Sequence, residues 1–238
     1  MDRGRQPLVS TIGTSVLGRP IHGYLFRGRP RSSLALILGG FHGDEPKGVF
    51  VCRKLVELFQ ADPPVGHVDW LIVPIVNPDG YARRKRRNAH HIDLNRNFPA
   101  SNWSRGSKRS RMFGGEAPAS EPETQALLRL IRRRRPAWII TVHSIGAGRH
   151  CNNYDGPGRR LATAMGRFNG YPVRGTIGYA TPGSFGTWAG IENGIPTVTL
   201  ELPSLHSPKR CWADNFRAIL SARPHGMNLR GATRSTAG

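Results

Sequence analysis

The chain has 238 residues, a length that suits one domain with a sizeable core, and its 38% apolar content is low enough to expect polar loops or a tail. Its formal charge is +20, carried mostly by arginine, which fits either a solvated, compositionally biased surface or attraction to an anionic partner, an acidic small substrate or nucleic acid. Cys52, Cys151 and Cys211 are an odd and widely spaced set, which argues against a disulfide framework or a cysteine zinc site and fits a reducing compartment. The opening Met1-Asp2-Arg3-Gly4-Arg5 lacks the apolar run of a secretory signal, and no stretch reaches the length of a membrane span. A soluble cytoplasmic protein is therefore expected.

In chain order, strands alternate with helices, which predicts an α/β fold with a mixed, mostly parallel sheet flanked by helices. Ser33 to Leu38 reads as a buried strand that breaks at Gly39-Gly40. Pro46 to Gln60 reads as a helix with Val51, Leu55, Leu58 and Phe59 on one face. Val68 to Val76 is a second strand, and Pro74 inside it predicts an edge or a bulge. Asn77-Pro78-Asp79-Gly80 is a turn by composition, and 81 to 119 reads as a long irregular segment of the kind that carries function. Ser120 to Glu123 predicts a capping box, with Ser120 at the cap and Glu123 reaching back to it. The helix it opens ends in Arg132 to Arg135, where cations suit the negative pole of the helix dipole. Trp138 to Val142 is a strand ending at His143, 158 to 168 a helix, Ile195 to Leu202 a strand and 210 to 222 a last helix. Residues 1–224 are expected to form one domain and 225–238 a disordered polar tail.

Chemistry concentrates at the ends of these strands. His42 and Glu45 follow a strand and a diglycine, three residues apart, so both can face one ion on a tight turn. Zinc takes imidazole nitrogen and carboxylate oxygen, and α/β sheets place their sites at carboxyl strand ends. His143, at another strand end, is the expected third ligand. Glu201 lies in the apolar run Val198-Thr199-Leu200-Glu201-Leu202-Pro203, where an acid is costly unless paired or put to use. Beside a metal-activated water it could act as the base. A salt bridge to one of the many arginines is the alternative.

The ordered set His42-Gly43-Asp44-Glu45, Asn77-Pro78-Asp79-Gly80, Asp93-Leu94-Asn95-Arg96-Asn97, His143-Ser144 and the Glu201 strand resembles the zinc metallocarboxypeptidases. The runs Asp93 to Pro99, Ser120 to Leu127 and Thr181 to Gly186 are similar to their bacterial branch of murein peptide amidases, over roughly residues 10 to 203. The resemblance implies zinc held by His42, Glu45 and His143, with Glu201 as catalytic base. It implies that Asn95 and Arg96 grip a terminal carboxylate, which a guanidinium fork fits. Arg86 matches the arginine that stabilises the oxyanion, with Arg87 as its rival in the run 83–87, and Tyr179 matches the tyrosine that closes over the substrate. Two departures stand out: His90-His91-Ile92 replaces an Asn-Gly turn, and Phe185 stands where an acid would select basic side chains. The substrate implied is a small acidic murein peptide cut between γ-linked D-glutamate and meso-diaminopimelate. The alternatives are an L-amino-acid carboxypeptidase and, from another class, a basic nucleic-acid-binding protein without catalysis. Cobalt or manganese could occupy the same ligands.

Overall fold

The computed structural model describes residues 6–146 and 148–222. Eight strands form one sheet: β1 (Leu8–Thr14), β2 (Pro20–Phe26), β3 (Ser33–Gly39), β4 (Val68–Val73), β5 (Trp138–Ile145), β6 (Cys151–Asp155), β7 (Val173–Arg174) and β8 (Thr197–Pro203). Their order is β1-β2-β4-β3-β5-β8-β6-β7. β4, β3, β5 and β8 run parallel at the centre, while β2 and β6 join them antiparallel on either side. Among the described residues the α-helices are α1 (Pro46–Ala61), α2 (Pro78–Arg83), α3 (Pro122–Arg134), α4 (Arg159–Asn169) and α5 (Pro208–Ser221). The sheet is therefore mixed, with a parallel centre between helical layers, as expected.

Alternation along the strands builds two cores. Ile140, Val142, Val198, Leu200 and Leu202 face Val51, Leu55 and Phe59 of α1, Leu161 and Met165 of α4, and Ile219 of α5. Ile139 faces the opposite side, with Leu127 and Ile131 of α3, Leu94, Phe98, Phe185 and Trp188. His143 is in phase with Ile139, and Glu201 with Thr199, so both point away from the first core.

Several local expectations change. β4 ends at Val73 and lies between β2 and β3, so Pro74 stands just past an interior strand, at neither an edge nor a bulge. Asn77-Pro78-Asp79-Gly80 opens α2 instead of making a turn, because the Asn77 side chain accepts a hydrogen bond from the Gly80 N–H and Pro78 suits the first helical turn. The capping box does not form. Glu121 is the N-cap of α3 without a side-chain cap bond, and Glu123 is buried, accepting from Val16 N–H and the Asn88 amide across the fold. β5 runs on through Ile145, which puts His143 inside the strand. β1, β2, β6 and β7 went unread in the sequence, since β1 is mostly exposed and β7 has only two residues. The segment 225–238 lies outside the described residues.

Candidate metal centre

The site begins where β3 gives out. Gly40 adopts a φ of 61°, which reverses the chain without a steric penalty. Gly43 packs so closely on the Gly80 backbone of α2 that a Cβ there would collide with it. Between these glycines and α1, His42 and Glu45 are turned inward. His42 Nδ1 lies 2.7 Å from Glu45 Oε1, and His143 Nδ1 lies 3.0 Å from Glu45 Oε2. Glu45 Oε2 also accepts the Ser144 N–H at 3.1 Å. The three donor atoms lie within 4.8 Å of one another, and this is the only such group of histidine, cysteine and acid side chains among the described residues.

The surroundings suit a divalent cation. His42 Nε2 lies 3.0 Å from Asp93 Oδ1, so in the tautomer that donates to Asp93 the Nδ1 lone pair is aimed at the cluster. Burial works against charge on His42, yet Glu45 and Asp93 outweigh it and push the imidazole up to about 9. Burial likewise opposes ionisation of Glu45, but the two imidazoles win and hold its carboxyl well below the usual range. Burial lowers His143, which keeps its imidazole neutral. Two imidazoles and one carboxylate leave a coordination position free, the pattern of a hydrolytic zinc site.

Glu201 stands beside this cluster because parallel pairing of β5 with β8 sets His143 opposite Glu201. Its carboxyl is 6% exposed and has neither a hydrogen bond nor an ion pair among the described residues. Burial first, and then the negative Glu45, push it up to about 8. No arginine among the described residues forms a salt bridge with Glu201. One cleft of about 200 Å³ is lined by His42, Glu45, His143 and Glu201 together with Arg86, Asn95, Arg96 and Tyr179. All eight residues singled out in the sequence thus meet.

The zinc carboxypeptidase model matches residues 6–155. Murein peptide amidase A of Escherichia coli is 37% identical, over 84% of this chain and 84% of that one. Murein peptide amidase A of Vibrio campbellii is 32% identical, over 90% of this chain and 88% of its own. The chain belongs to the zinc carboxypeptidase family. Among solved structures, the murein-tripeptide amidase of Escherichia coli superposes with a TM-score of 0.74 at 31% identity, covering 92% of both chains. Carboxypeptidase A of Helicoverpa armigera, at 21% identity and a TM-score of 0.78 over 91% of this chain and 68% of that one, shares the fold. This zinc carboxypeptidase is a metallopeptidase, and none of its described helices is long and apolar enough to cross a membrane.

Within the zinc carboxypeptidase cleft, Arg86 and not Arg87 faces the cluster. Arg86 Nε and Nη2 bind Asp93 Oδ2 at 3.0 and 2.9 Å, and its Nη1 lies 3.6 Å from Glu45 Oε1. Arg87 turns away to the carbonyls of Lys108 and Ser110. Arg96 is 2% exposed and has no ion pair among the described residues; its Nη1 donates to the Asn95 carbonyl at 2.6 Å and its Nε has no partner among them. Asn95 Oδ1 accepts the Phe185 N–H at 2.9 Å, which ties the 93–97 motif to the 181–186 turn. Phe185 itself packs among Phe41, Phe98 and Trp188 in the core, so Gly186 rather than Phe185 lines the cleft.

An acid does reach the cleft, from a place the sequence did not betray. Asp155, at the end of β6, nests against Gly186 and Gly190, where any Cβ would strike it, and has no hydrogen bond or ion pair among the described residues. Burial pushes its carboxyl up to about 6. Asp93 was also missed as a positioning group, though its place at the head of the Asp-Leu-Asn-Arg run was the available signal. His90 pairs with Glu121 at 2.9 Å and His91 is exposed, so the two do not form a second metal group.

Proposed function

We propose that this zinc carboxypeptidase hydrolyses murein peptides at the amide between γ-linked D-glutamate and meso-diaminopimelate. His42, Glu45 and His143 are the zinc ligands and Glu201 the general base. The observation that carries the substrate is the meeting, in one cleft, of a buried guanidinium at Arg96 and a carboxyl at Asp155, neither with an ion pair among the described residues. Diaminopimelate brings the complement, a free carboxylate beside the scissile amide and a distal ammonium. The relatives named murein peptide amidase act on the same class of compound.

Bound zinc supplies a Lewis acid that polarises the carbonyl and brings the water's pKa to about 7. The residues do the rest. Asn95 and Arg96 fix the terminal carboxylate, so the bond to be cut is chosen by position. Asp155 takes the distal ammonium, and Tyr179 closes the open side. Glu201, with no competing partner, accepts the proton of the attacking water and returns it to the departing amine. Arg86, anchored by Asp93, offers Nη1 to the oxyanion as it forms. The three free, buried cysteines accord with a reducing compartment, and we assign the enzyme to the cytoplasm.

The test is incubation of the zinc-loaded protein with L-Ala-γ-D-Glu-meso-diaminopimelate, followed by mass spectrometry. Released diaminopimelate is expected. Absence of release from pH 6 to 9, with release of C-terminal residues from all-L peptides, would replace this reading with the ordinary carboxypeptidase.

A further inference from the structure

A second cavity, of about 600 Å³, adjoins the metal centre and takes no part in the scheme above. It is lined by Arg83, Arg84, Lys85, Arg86, Arg87 and Arg111, with Asp44 as its one acid. The fold gathers these charges deliberately close. α2 stops at Arg83, and Arg84 takes a left-handed φ of 51°, which curls the following cations around one space. Arg87 Nη1 binds the carbonyls of Lys108 and Ser110, drawing in the loop that carries Arg111. Arg86 is balanced by Asp93 and Arg111 by Asp44, so Arg83, Arg84, Lys85 and Arg87 converge with no acid partner among the described residues. Like charges facing one concavity repel, and an anion placed there relieves them all at once.

The location says which anion. Arg86 is the one described residue that lines both this cavity and the catalytic cleft. Arg96 and Asp155, which take the departing residue, line only the cleft. On the reading above, that leaves the side lined by Arg86 for the acyl half of the substrate. When glutamate is cut at its γ-carbonyl, its α-carboxylate remains free about 5 Å from the scissile carbon, four bonds away. We propose that this basic cavity is the acyl-side subsite, which binds the free α-carboxylate of the γ-linked glutamyl residue. The assignment rests on the muropeptide reading and adds a demand for that carboxylate.

The experiment compares L-Ala-γ-D-Glu-meso-diaminopimelate with its isoglutaminyl analogue, in which the α-carboxylate is an amide. Both are assayed on the wild type and on the double variant Arg84→Ala, Lys85→Ala, whose side chains have no hydrogen bond or ion pair among the described residues. Ionic strength is held near 0.15 M, where charges beyond about 8 Å are screened. Wild type should show a KM about ten-fold lower for the glutamyl form, and the double variant should lose that preference. Calorimetric Kd values in the Glu201→Gln background give the same comparison without turnover. Charge discrimination in binding without cleavage keeps the subsite and rejects the reaction; cleavage of both forms with equal KM keeps the reaction and rejects the subsite. Failure to bind or cut either form rejects both. If the wild type already treats both peptides alike and the double variant loses affinity for a DNA oligonucleotide, the cavity is a nucleic-acid contact and the subsite is overturned.

Discussion

Glu201 and Asp155 are two acids in one cleft, both without an ion pair among the described residues and both raised by burial. Their positions differ: one neighbours the metal cluster across the β5–β8 pair, the other stands on β6 against two glycines. Glu201→Gln keeps the shape and removes the proton acceptor, so zinc content should stay at one per chain while kcat falls by about 10²–10⁴. A variant with full turnover would mean that another group takes the water's proton. For Asp155, the unfolded carboxyl ionises near 3.8, whereas the folded one holds its proton up to about 6. Between those values the folded state binds more protons, so this group costs stability as pH rises across the window, and the full cost is present at pH 7. Asp155→Asn should therefore stabilise the protein by on the order of 1 kcal/mol at pH 7, partial exposure included, and leave it unchanged at pH 3. Denaturant titrations at the two pH values measure this. On the substrate, the same variant should raise KM for diaminopimelate peptides and spare those ending in a residue without a distal ammonium.

At the scale of elements, the site depends on backbone approach as much as on side chains. The loop from Gly40 to Glu45 reaches the cluster only because Gly43 lets it lie on α2 at Gly80. Gly43→Ala forces either the loop or α2 to move, at a cost on the order of 3 kcal/mol. Both a lower Tm and loss of bound zinc are expected, read by calorimetry and metal analysis; retained zinc with an unchanged Tm would show that the packing gives way easily. The parallel pairing of β5 and β8 is the other structural requirement, since a one-residue slip would turn Glu201 into the first core and away from His143.

For the molecule as a whole, an ion held by His42, Glu45 and His143 would tie β3, β5 and α1 together and would bind the folded state alone. With free zinc at about a thousand times Kd, mass action adds about 4 kcal/mol, or about 10 °C in Tm for a chain of this size. Chelation should remove that increment, and His42→Ala should remove it without chelator. The same Tm with and without chelator would deny the cluster its ion. Part of the net charge of +20 is also concentrated at this scale, where Arg83, Arg84, Lys85 and Arg87 line one cavity beside the cleft.

What the sequence settled by itself was whatever local order and chemistry can carry. The 42–45 and 93–97 motifs, the apolar run around Glu201 and the strand ending near His143 were enough to name residues that the fold brings to one cleft. The alternation of strand and helix was enough for a mixed sheet. Tertiary structure alone decided the rest, wherever a partner lies far along the chain. Glu123 fits a capping box locally, but Val16 and Asn88 offer it bonds in a buried setting that no window of sequence contains. Asn77 reads as a turn until its side chain caps Gly80. Arg86 and Arg87 are neighbours of like chemistry, and only Asp93 on one side and the Ser110 loop on the other tell them apart. Asp155 follows an ordinary polar stretch, and its place in the cleft comes from the pairing of β6 with β8 and the two glycines that make room for it. Side-chain type and spacing fix what a residue can do; burial and distant neighbours fix what it meets, because desolvation and Coulomb energies depend on three-dimensional distance.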